Sequence, residues 1–443
     1  MNVLSKIKKI DVIRVAIVLL VLLMPTHRML FDAILPWKID NLWRDALLAL
    51  GIILVLIYNK GLCMGRHGVN ILLMWLVCGV YLLLSDRFSL ALNLARTYLM
   101  PTLIYFIVIN IKYDQGFIKR LEKIFVYTAV VLAVFGMVQA FILGEGFLIA
   151  LGYEAEGGYL ASPSFYISYF HGEQRVTSTF SAPNICGLYF GMVILVLYLR
   201  RKEIKRSKLM LLIMALGLVT TFSRSAILGT AVALLAVIIA QNIKRVSLGK
   251  RTFIMAFVFT VGAVLMFIAI NSKLDGLITN MLKSNFMSII NKTDASAGKH
   301  LEDLFVPLKT VIQNPFGLGF GHNGPMVAEY YSDANLVESS LYLLMYDFGI
   351  IGALIFIFPY IRSAFRWVLS VYRKLTLKYD NTVAESTRQN YKIPAALSVL
   401  ILVVSLLLPS LQTYEILFVY FFFLAVSEVK EKNEVYAQGI INN

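Results

Sequence analysis

The sequence has little charge, and positive charge exceeds negative charge. Only 15% of its 443 residues are charged, 59% are hydrophobic and the mean hydropathy is +0.75, which excludes a soluble globular protein. The net charge of +15 lies in short basic clusters between apolar runs, a pattern of membrane topology rather than of a nucleic-acid-binding surface. Cysteine is also scarce: Cys63, Cys78 and Cys186 form no Cys-x-x-Cys motif, so neither a disulfide framework nor a zinc site is indicated.

The long apolar runs predict twelve transmembrane helices, because each has roughly the 20 residues that a bilayer requires. They lie at 12–31, 42–58, 69–84, 90–109, 124–143, 183–199, 209–222, 225–240, 252–270, 339–358, 393–409 and 413–427. No small-residue cleavage site follows the first run, so we interpret it as a retained span. Most of the 41 lysines and arginines lie on the side of the termini, which the positive-inside rule places in the cytoplasm. We predict an all-α integral membrane protein with one polytopic domain over 1–443.

This topology leaves two long segments on the outer side, 144–182 and 271–338. Neither has the pattern of an independent domain, although 299–313 has the pattern of an interfacial amphipathic helix.

The first long loop ends in a candidate anion site. Arg175 precedes the Pro183–Asn184 pair that opens the sixth span, where free backbone N–H groups attract anions. Alternatively, the pair merely starts the helix and Arg175 pairs with Glu173. Arg224 lies in the tight turn between the seventh and eighth spans, where a guanidinium suits either bidentate phosphate binding or contact with lipid headgroups.

Three further cationic or titratable residues stand out. Arg96 lies within the fourth span, where it faces either a cavity or a structural partner such as Asp45. Lys299 heads the amphipathic segment 299–313, and His322 follows the alternating glycines of 314–321, where the backbone can approach a ligand closely. A flexible hairpin explains those glycines equally well.

Glu338 stands at the entrance to the tenth span. Asn335 and Glu338 have the spacing of a helix capping box, which is the structural interpretation. The functional interpretation is a general base for a sugar hydroxyl, with Tyr342 and Met345 on the same helical face as a wall for sugar rings.

Four segments together resemble the O-antigen polymerase and O-antigen ligase superfamily (Wzy and WaaL types) of bacterial inner-membrane proteins. They are 175–184 (RVTSTFSAPN), 221–228 (TFSRSAIL), 296–299 leading into 314–321 (SAGK, NPFGLGFG) and 338–352 (ESSLYLLMYDFGIIG). They occur in the family's order and cover the second two-thirds of the chain. The ligases carry histidine where Glu338 stands, which makes the chain more similar to a polymerase. Lys299 stands where the family often has arginine.

The resemblance implies a GT-C-like glycosyltransferase without cofactor or metal, with both long loops in the periplasm. It joins undecaprenyl-pyrophosphate-linked repeat units into O-antigen, capsule or another surface polysaccharide. On this hypothesis Arg175 and Arg224 hold the pyrophosphate, with Asn184, Lys299, Tyr342 and Arg96 as further substrate contacts. Glu338 takes the acceptor proton, with His322 in reserve. The absence of an Asp-x-Asp motif supports metal independence, since fixed cations must then neutralise the leaving group. Expected partners are these lipid-linked glycans, membrane lipids and a chain-length regulator, and no nucleic acid.

Two other functions are open. A ligase transfers the finished glycan to lipid A–core, whereas a twelve-span transporter places its charges near the bilayer midplane in helices related by a repeat, which this sequence lacks.

Overall fold

The computed structural model describes residues 9–26, 42–59, 61–111, 114–151, 153, 165–166, 174–242, 307–328, 330–335, 337, 339–376 and 389–437. Within these ranges the chain is helical, without a β-strand beyond two isolated bridges. The helices are labelled in chain order as α1 (Lys9–Leu23), α2 (Leu42–Asn59), α3 (Gly68–Leu84), α4 (Phe88–Leu99), α5 (Leu103–Ile109), α6 (Gln115–Val138), α7 (Glu145–Ala150), α8 (Pro183–Leu199), α9 (Ser207–Thr220), α10 (Arg224–Asn242), α11 (Pro325–Ala328), α12 (Ser340–Thr376), α13 (Lys392–Ser405) and α14 (Tyr414–Ala437).

Helix length and composition fit an integral membrane protein. Five segments are long and apolar enough to cross a bilayer: Leu42–Asn59, Phe88–Ile109, Gln115–Leu143, Arg224–Gln241 and Ser340–Val371. Shorter apolar helices add to these in the described ranges. Eleven of the twelve predicted spans overlap helices, and the remaining one, 252–270, lies outside the described residues. The number of crossings therefore stays a prediction.

Consecutive helices run between two ends of the bundle, which we name the Arg175 end and the Lys430 end. At the Lys430 end the Glu122 carboxylate accepts from Lys430 Nζ at 2.8 Å and from Arg200 Nη2 at 3.0 Å. At the Arg175 end the Ser340 hydroxyl donates to the Leu408 carbonyl at 2.7 Å. Helices α1 and α14 have Lys9 and Ala437 at the Lys430 end, as an even number of crossings requires.

Helices α8 and α14 form the centre of the bundle. Both are apolar around most of their circumference, and nearly every residue of α8 and of 416–426 is buried. A helix that is hydrophobic on all sides must be surrounded by other helices or lipid. Helices with one exposed leucine-rich face, such as α2 and α9, surround these two.

The predicted fourth span is one apolar segment but two helices. A 3₁₀ turn at Met100–Thr102 separates α4 from α5. Pro101 explains the break, because it has no N–H for the helical hydrogen bond and its ring clashes with the preceding turn. The Thr102 hydroxyl oxygen accepts from Trp75 Nε1 at 3.0 Å, which joins the break to α3.

Helix α12 begins later than the capping-box pattern predicts. Its first residue is Ser340, and Asn335 lies five residues earlier in an extended segment. The Asn335 amide donates to Asn323 Oδ1 at 2.9 Å instead of capping a helix. The capping-box interpretation of Asn335 is therefore wrong, because a partner distant in sequence engages its side chain, whereas the predicted span 339–358 begins within one residue of the observed helix.

Helix α12 is broken at Gly349, and the glycine-rich loop fills the break. Gly349 has φ 69° and ψ −178°, a backbone conformation that is essentially restricted to glycine. Leu318 N donates to the Tyr346 carbonyl at 2.6 Å, and Ile350 N donates to the Pro315 carbonyl at 3.0 Å. The loop thus satisfies helix backbone groups that the break leaves without helical partners.

Candidate functional site

Arg175 bridges two helix ends at the Arg175 end of the bundle. Its Nη2 donates to Asn184 Oδ1 at 2.7 Å, in the first turn of α8. Its Nε donates to the Thr221 carbonyl at 2.8 Å, in the turn between α9 and α10. Two contacts to a planar guanidinium fix the orientation of its plane. Arg175 is therefore held in place by one partner 9 residues away in the chain and another 46 residues away.

Arg224 is the first residue of α10, and the tight turn before it is the one predicted from the sequence. Phe222 in this turn has φ 52°, a left-handed conformation that is unusual for a bulky residue. Ser178, close to Arg175, has φ 53°. Non-glycine residues in such conformations cluster at functional sites, where the surrounding structure compensates for the strain.

A glycine allows the turn to approach α8. A Cβ on Gly187 lies only 2.7 Å from the Thr221 hydroxyl oxygen and 2.9 Å from the Ser223 Cβ. Any side chain at Gly187 therefore displaces the turn, and with it the Thr221 carbonyl that holds Arg175.

The two arginines are close enough to interact electrostatically. Partial burial and, next, repulsion from the Arg224 charge lower the pKa of Arg175 to about 10. Arg175 is still charged at neutral pH, so the site presents two neighbouring cations. A bound anion removes part of this repulsion, which favours a ligand with two or more negative charges.

Two helix N-termini lie at this cluster, those of α8 and α10. Helix α8 starts with Pro183 in its first turn, after Ala182, which supplies no side-chain cap. Uncapped N–H groups and the positive end of the helix dipole attract anions. Arg175, Asn184 and Arg224 are each partly exposed, so a ligand can reach them.

His322 lies elsewhere at the same end, in the segment that follows the alternating glycines. Its Nε2 is 2.6 Å from Asp86 Oδ1, in the turn between α3 and α4. The hydrogen bond to His322 lowers the pKa of Asp86. The Ser85 hydroxyl also donates to the Phe320 carbonyl at 2.7 Å. The glycine-rich segment is thus attached to the first part of the chain, where the family motifs do not extend.

Tyr342 contributes to a small apolar cluster at the head of α12. Val311, Val337 and Tyr346 are its buried members, and Tyr342 and Met345 pack against them. Glu338 and Lys299 lie outside the described residues. The residues on either side of Glu338, Val337 and Ser339, are buried, and Val337 shares the cluster with Tyr342.

Arg96 has the structural partner that the sequence offered as an alternative. Its Nε lies 2.7 Å from Asp45 Oδ2, and Asp45 Oδ1 accepts from the Tyr414 hydroxyl at 2.8 Å. Arg44 makes a neighbouring ion pair with Glu415 at 2.9 Å. These contacts join α2, α4 and α14.

The described candidate residues therefore form separate groups at one end of the bundle. Arg175, Asn184 and Arg224 come together. Tyr342 belongs to the head of α12, whereas His322 and Arg96 each face a carboxylate.

Helix α13 connects the arginine group with the head of α12. Gly229, in the second turn of α10, packs directly against Val404. The next residue, Ser405, accepts from the Ser339 hydroxyl at 3.1 Å through its carbonyl oxygen. The second turn of α10 and Ser339, just before α12, thus meet at the last turn of α13. This arrangement places Ser339 on the same side of the bundle as Arg224.

Two buried polar side chains, those of Asp347 and Gln139, were not among the predicted site residues. Asp347 is completely buried within α12, where its Oδ1 accepts from Asn323 Nδ2 at 2.8 Å. The signal was present, because an ionisable residue in a membrane helix indicates a partner or a function. Gln139 opens a one-turn π-helix after α6, and its buried amide has no hydrogen-bond partner within the described chain. Here too the signal was present, because Gln139 is the only amide side chain in the predicted span 124–143.

Metal ligands are not gathered in the described part of the chain, where no group of three or more His, Cys, Asp or Glu side chains is suited to hold an ion. Metal independence stays a prediction.

Comparison with known proteins finds one family match. The model of the family described as O-antigen ligase (Wzy_C) matches residues 209–357, about a third of the chain. This range includes Arg224, His322, Glu338 and Tyr342, whereas Arg175 and Asn184 lie before it. No curated protein matches the chain. The match does not distinguish ligases from polymerases. Over these residues the chain is similar to the O-antigen ligase and polymerase superfamily.

Proposed function

We propose that the chain is a glycosyltransferase that polymerises lipid-pyrophosphate-linked repeat units into a surface polysaccharide. The observation that carries this proposal is the convergence of Arg175 and Arg224 at the N-termini of α8 and α10. Two neighbouring cations beside two positive helix ends suit a ligand with several negative charges, as in a diphosphate.

The reaction moves a glycosyl group between two oxygens. An acceptor hydroxyl oxygen forms a bond to the anomeric carbon of the donor, and the bond from that carbon to the pyrophosphate oxygen breaks. The electron pair leaves with the diphosphate, whose charge Arg175 and Arg224 stabilise. The acceptor proton passes to the Glu338 carboxylate, with His322 as the reserve base. Losing one such fixed cation typically reduces the rate by about 10²-fold or more.

Polymerase is preferred over ligase because Glu338 stands where the related ligases carry histidine. Ligase is the second candidate, because the family that matches is described as O-antigen ligase. In the polymerase the donor is the growing glycan on undecaprenyl pyrophosphate, and the acceptor is one lipid-linked repeat unit. In the ligase the acceptor is lipid A–core.

The assumed setting is the bacterial inner membrane, with the Arg175 end in the periplasm and both termini in the cytoplasm. The basic clusters at the Lys430 end support this orientation through the positive-inside rule.

The test is to incubate the purified protein with lipid-linked repeat units, with and without a chelator, and to analyse the products by gel electrophoresis. We expect a ladder of products in both conditions. Product attached to lipid A–core without a ladder identifies a ligase. Loss of the ladder with chelator contradicts metal independence.

Variants test the residue roles in the same assay. Arg175→Ala and Arg224→Ala are each expected to reduce polymer formation by about 10²-fold or more. Arg87→Ala is the matched control at the same end, because it removes a guanidinium that pairs with Asp333 and lies outside the arginine group. Normal polymer from either arginine variant, at wild-type amounts of protein, contradicts the assignment.

A binding measurement separates diphosphate recognition from catalysis. A hundredfold excess of farnesyl diphosphate over its Kd stabilises the folded protein by about 2.7 kcal/mol. We expect a higher Tm for the wild type and for Arg87→Ala, and no increase for Arg175→Ala or Arg224→Ala. An equal increase in all four proteins places the diphosphate elsewhere.

A further inference from the structure

A buried carboxylate inside α12 fastens the loop that precedes this helix. Asp347 and Asn323 are both fully buried, and Asn323 Nδ2 donates to Asp347 Oδ1 at 2.8 Å. The hydroxyl of Tyr98 lies beside the same carboxylate. A buried carboxylate that loses its hydrogen bonds is strongly unfavourable, so this contact constrains where Asn323 can lie.

Asn323 also binds Asn335, which lies five residues before the start of α12. Its Oδ1 accepts from Asn335 Nδ2 at 2.9 Å, and its Nδ2 also contacts the Gly319 carbonyl at 2.8 Å. Around this centre, Gly324 N donates to the Asn335 carbonyl at 2.8 Å, and Asn335 N donates to the His322 carbonyl at 3.0 Å. Residues 319–324 and residue 335 are therefore linked as one unit to Asp347.

The chain is held again just beyond this unit. The hydroxyl of Ser339 donates to the Ser405 carbonyl at 3.1 Å, and that of Ser340 donates to the Leu408 carbonyl at 2.7 Å. Val337 is buried between the two attachments. Asn335 is thus fixed through Asp347, and Ser339 and Ser340 are fixed through contacts with residues 405 and 408. Glu338 lies between these two attachments in the sequence.

We infer that Asp347 is a positioning residue for glycosyl transfer: through Asn323 it fixes Asn335, three residues before Glu338 in the sequence. This inference rests on the proposed function, in which Glu338 accepts the acceptor proton. Asp347 does not touch the substrate. A displacement of reacting groups by about 1 Å costs on the order of 10²-fold in rate, so loss of this link affects turnover.

Two substitutions of Asp347 separate positioning from folding. Asp347→Leu removes the acceptor for Asn323 but places an apolar side chain in a membrane helix, which favours retention of the folded bundle. Asp347→Asn keeps an oxygen that accepts from Asn323 and loses only the charge. Asp333→Leu is the matched control, because this highly exposed carboxylate lies in the same segment and pairs with Arg87.

The kinetic readout is polymer formation per folded molecule at increasing donor concentration. For Asp347→Leu we expect kcat to fall at least tenfold with donor KM changed less than threefold, because the arginine group is intact. Asp347→Asn and Asp333→Leu are expected to keep kcat within threefold of the wild type. Wild-type kcat in Asp347→Leu, or an equal loss in Asp347→Asn, overturns the inference.

A second readout reports the attachment itself without requiring activity. Val327 in α11 is fully buried, and α11 directly follows the Asn323 unit. In a Cys63→Ser background, the thiol of Val327→Cys is expected to react with a maleimide at least tenfold faster when Asp347→Leu is added. Asp347→Asn should leave it protected. Faster labelling with unchanged kcat shows that the attachment does not matter for transfer and overturns the inference.

The two proposals fail in different ways. If the wild type neither binds farnesyl diphosphate nor forms polymer, the proposed function fails and the positioning role falls with it, whatever the labelling shows. If the wild type does both and Asp347→Leu does too, only the positioning role is wrong.

Discussion

At the scale of single residues, the arginines of the Arg175 end differ in what they face. Arg96 points to a carboxylate at 2.7 Å, whereas Arg175 is held by an amide oxygen and a backbone carbonyl. Arg224 adds repulsion that lowers the pKa of Arg175. An arginine already paired with a carboxylate is poorly suited to recruit an anion, because the two anions compete for it. We therefore expect Arg96 to be structural.

A double variant tests the role of Arg96. Arg96→Met removes the cation that pairs with Asp45. Breaking a buried ion pair typically destabilises a protein by about 3–5 kcal/mol. The loss of stability is smaller where one partner is partly exposed, as Arg96 is. Replacing both partners, as in Arg96→Met with Asp45→Leu, removes the unpaired charge. We expect Tm to fall in the single variant and to recover in the double variant, together with polymer formation.

The matched control for this pair is the single variant Asp45→Leu, which leaves Arg96 unpaired and should also lower Tm. If the double variant recovers Tm but still forms no polymer, Arg96 contacts the substrate after all.

At the scale of elements, the break in α12 joins a loop to a helix through the backbone. Any side chain at Gly349 overlaps the Pro315 carbonyl and comes within 2.7 Å of the Phe316 Cα. A non-glycine residue in this conformation costs about 1–3 kcal/mol even before the overlap. Gly349→Ala is therefore expected to lower Tm and to reduce polymer formation more than tenfold, measured on purified protein.

Gly79→Ala in α3 is the control for Gly349→Ala. A Cβ at Gly79 has no neighbour within 4 Å, and alanine favours the helix over glycine. We expect Tm to be unchanged or slightly higher. Wild-type stability and activity in Gly349→Ala contradict the described backbone contacts between the glycine-rich loop and α12.

At the scale of the whole molecule, a native cysteine reports the orientation of the bundle. Cys63 is exposed at the Lys430 end, whereas Cys78 and Cys186 are completely buried. If that end faces the cytoplasm, a membrane-impermeant maleimide labels Cys63 in inside-out vesicles but not in intact spheroplasts. Mass spectrometry of the labelled peptide measures this.

The opposite pattern is expected for a cysteine introduced at the Arg175 end. Tyr330 is 70% exposed there, so Tyr330→Cys in a Cys63→Ser background should react in spheroplasts. Labelling of Cys63 from outside the cell places the arginine group in the cytoplasm and contradicts a periplasmic reaction.

Several elements of this bundle were predictable from local sequence. The predicted span 183–199 coincides with α8, and the predicted turn before Arg224 separates α9 from α10. Apolar run length and Pro183 carry this information, since neither depends on distant contacts. The predicted span 339–358 also begins within one residue of α12, but the capping role of Asn335 was not predictable in this way, because Asn335 bonds to Asn323 and not to the helix that follows it.

In the candidate site, too, some features were predictable from local sequence and others depend on contacts between distant residues. Arg175 and Arg224 were predicted on one face from topology, but their approach depends on Gly187, on the Thr221 carbonyl and on two left-handed residues. The sequence marks Asp347 as an ionisable residue in a membrane helix, but its partner Asn323 is 24 residues away, across a loop. No sequence spacing encodes that contact.

The sequence by itself determined that this chain is a bundle of apolar helices, which of its segments share one end, and where its cations lie along the chain. These properties follow from transfer free energies and charge asymmetry, which are summed over local runs. Only the tertiary structure decided that Arg175 is held between α8 and the turn before α10, that Arg96 is paired with Asp45, and that Asp347 holds the glycine-rich loop. The physical reason is that hydrogen bonds and ion pairs act over about 3 Å, so partners distant in sequence are chosen by packing alone.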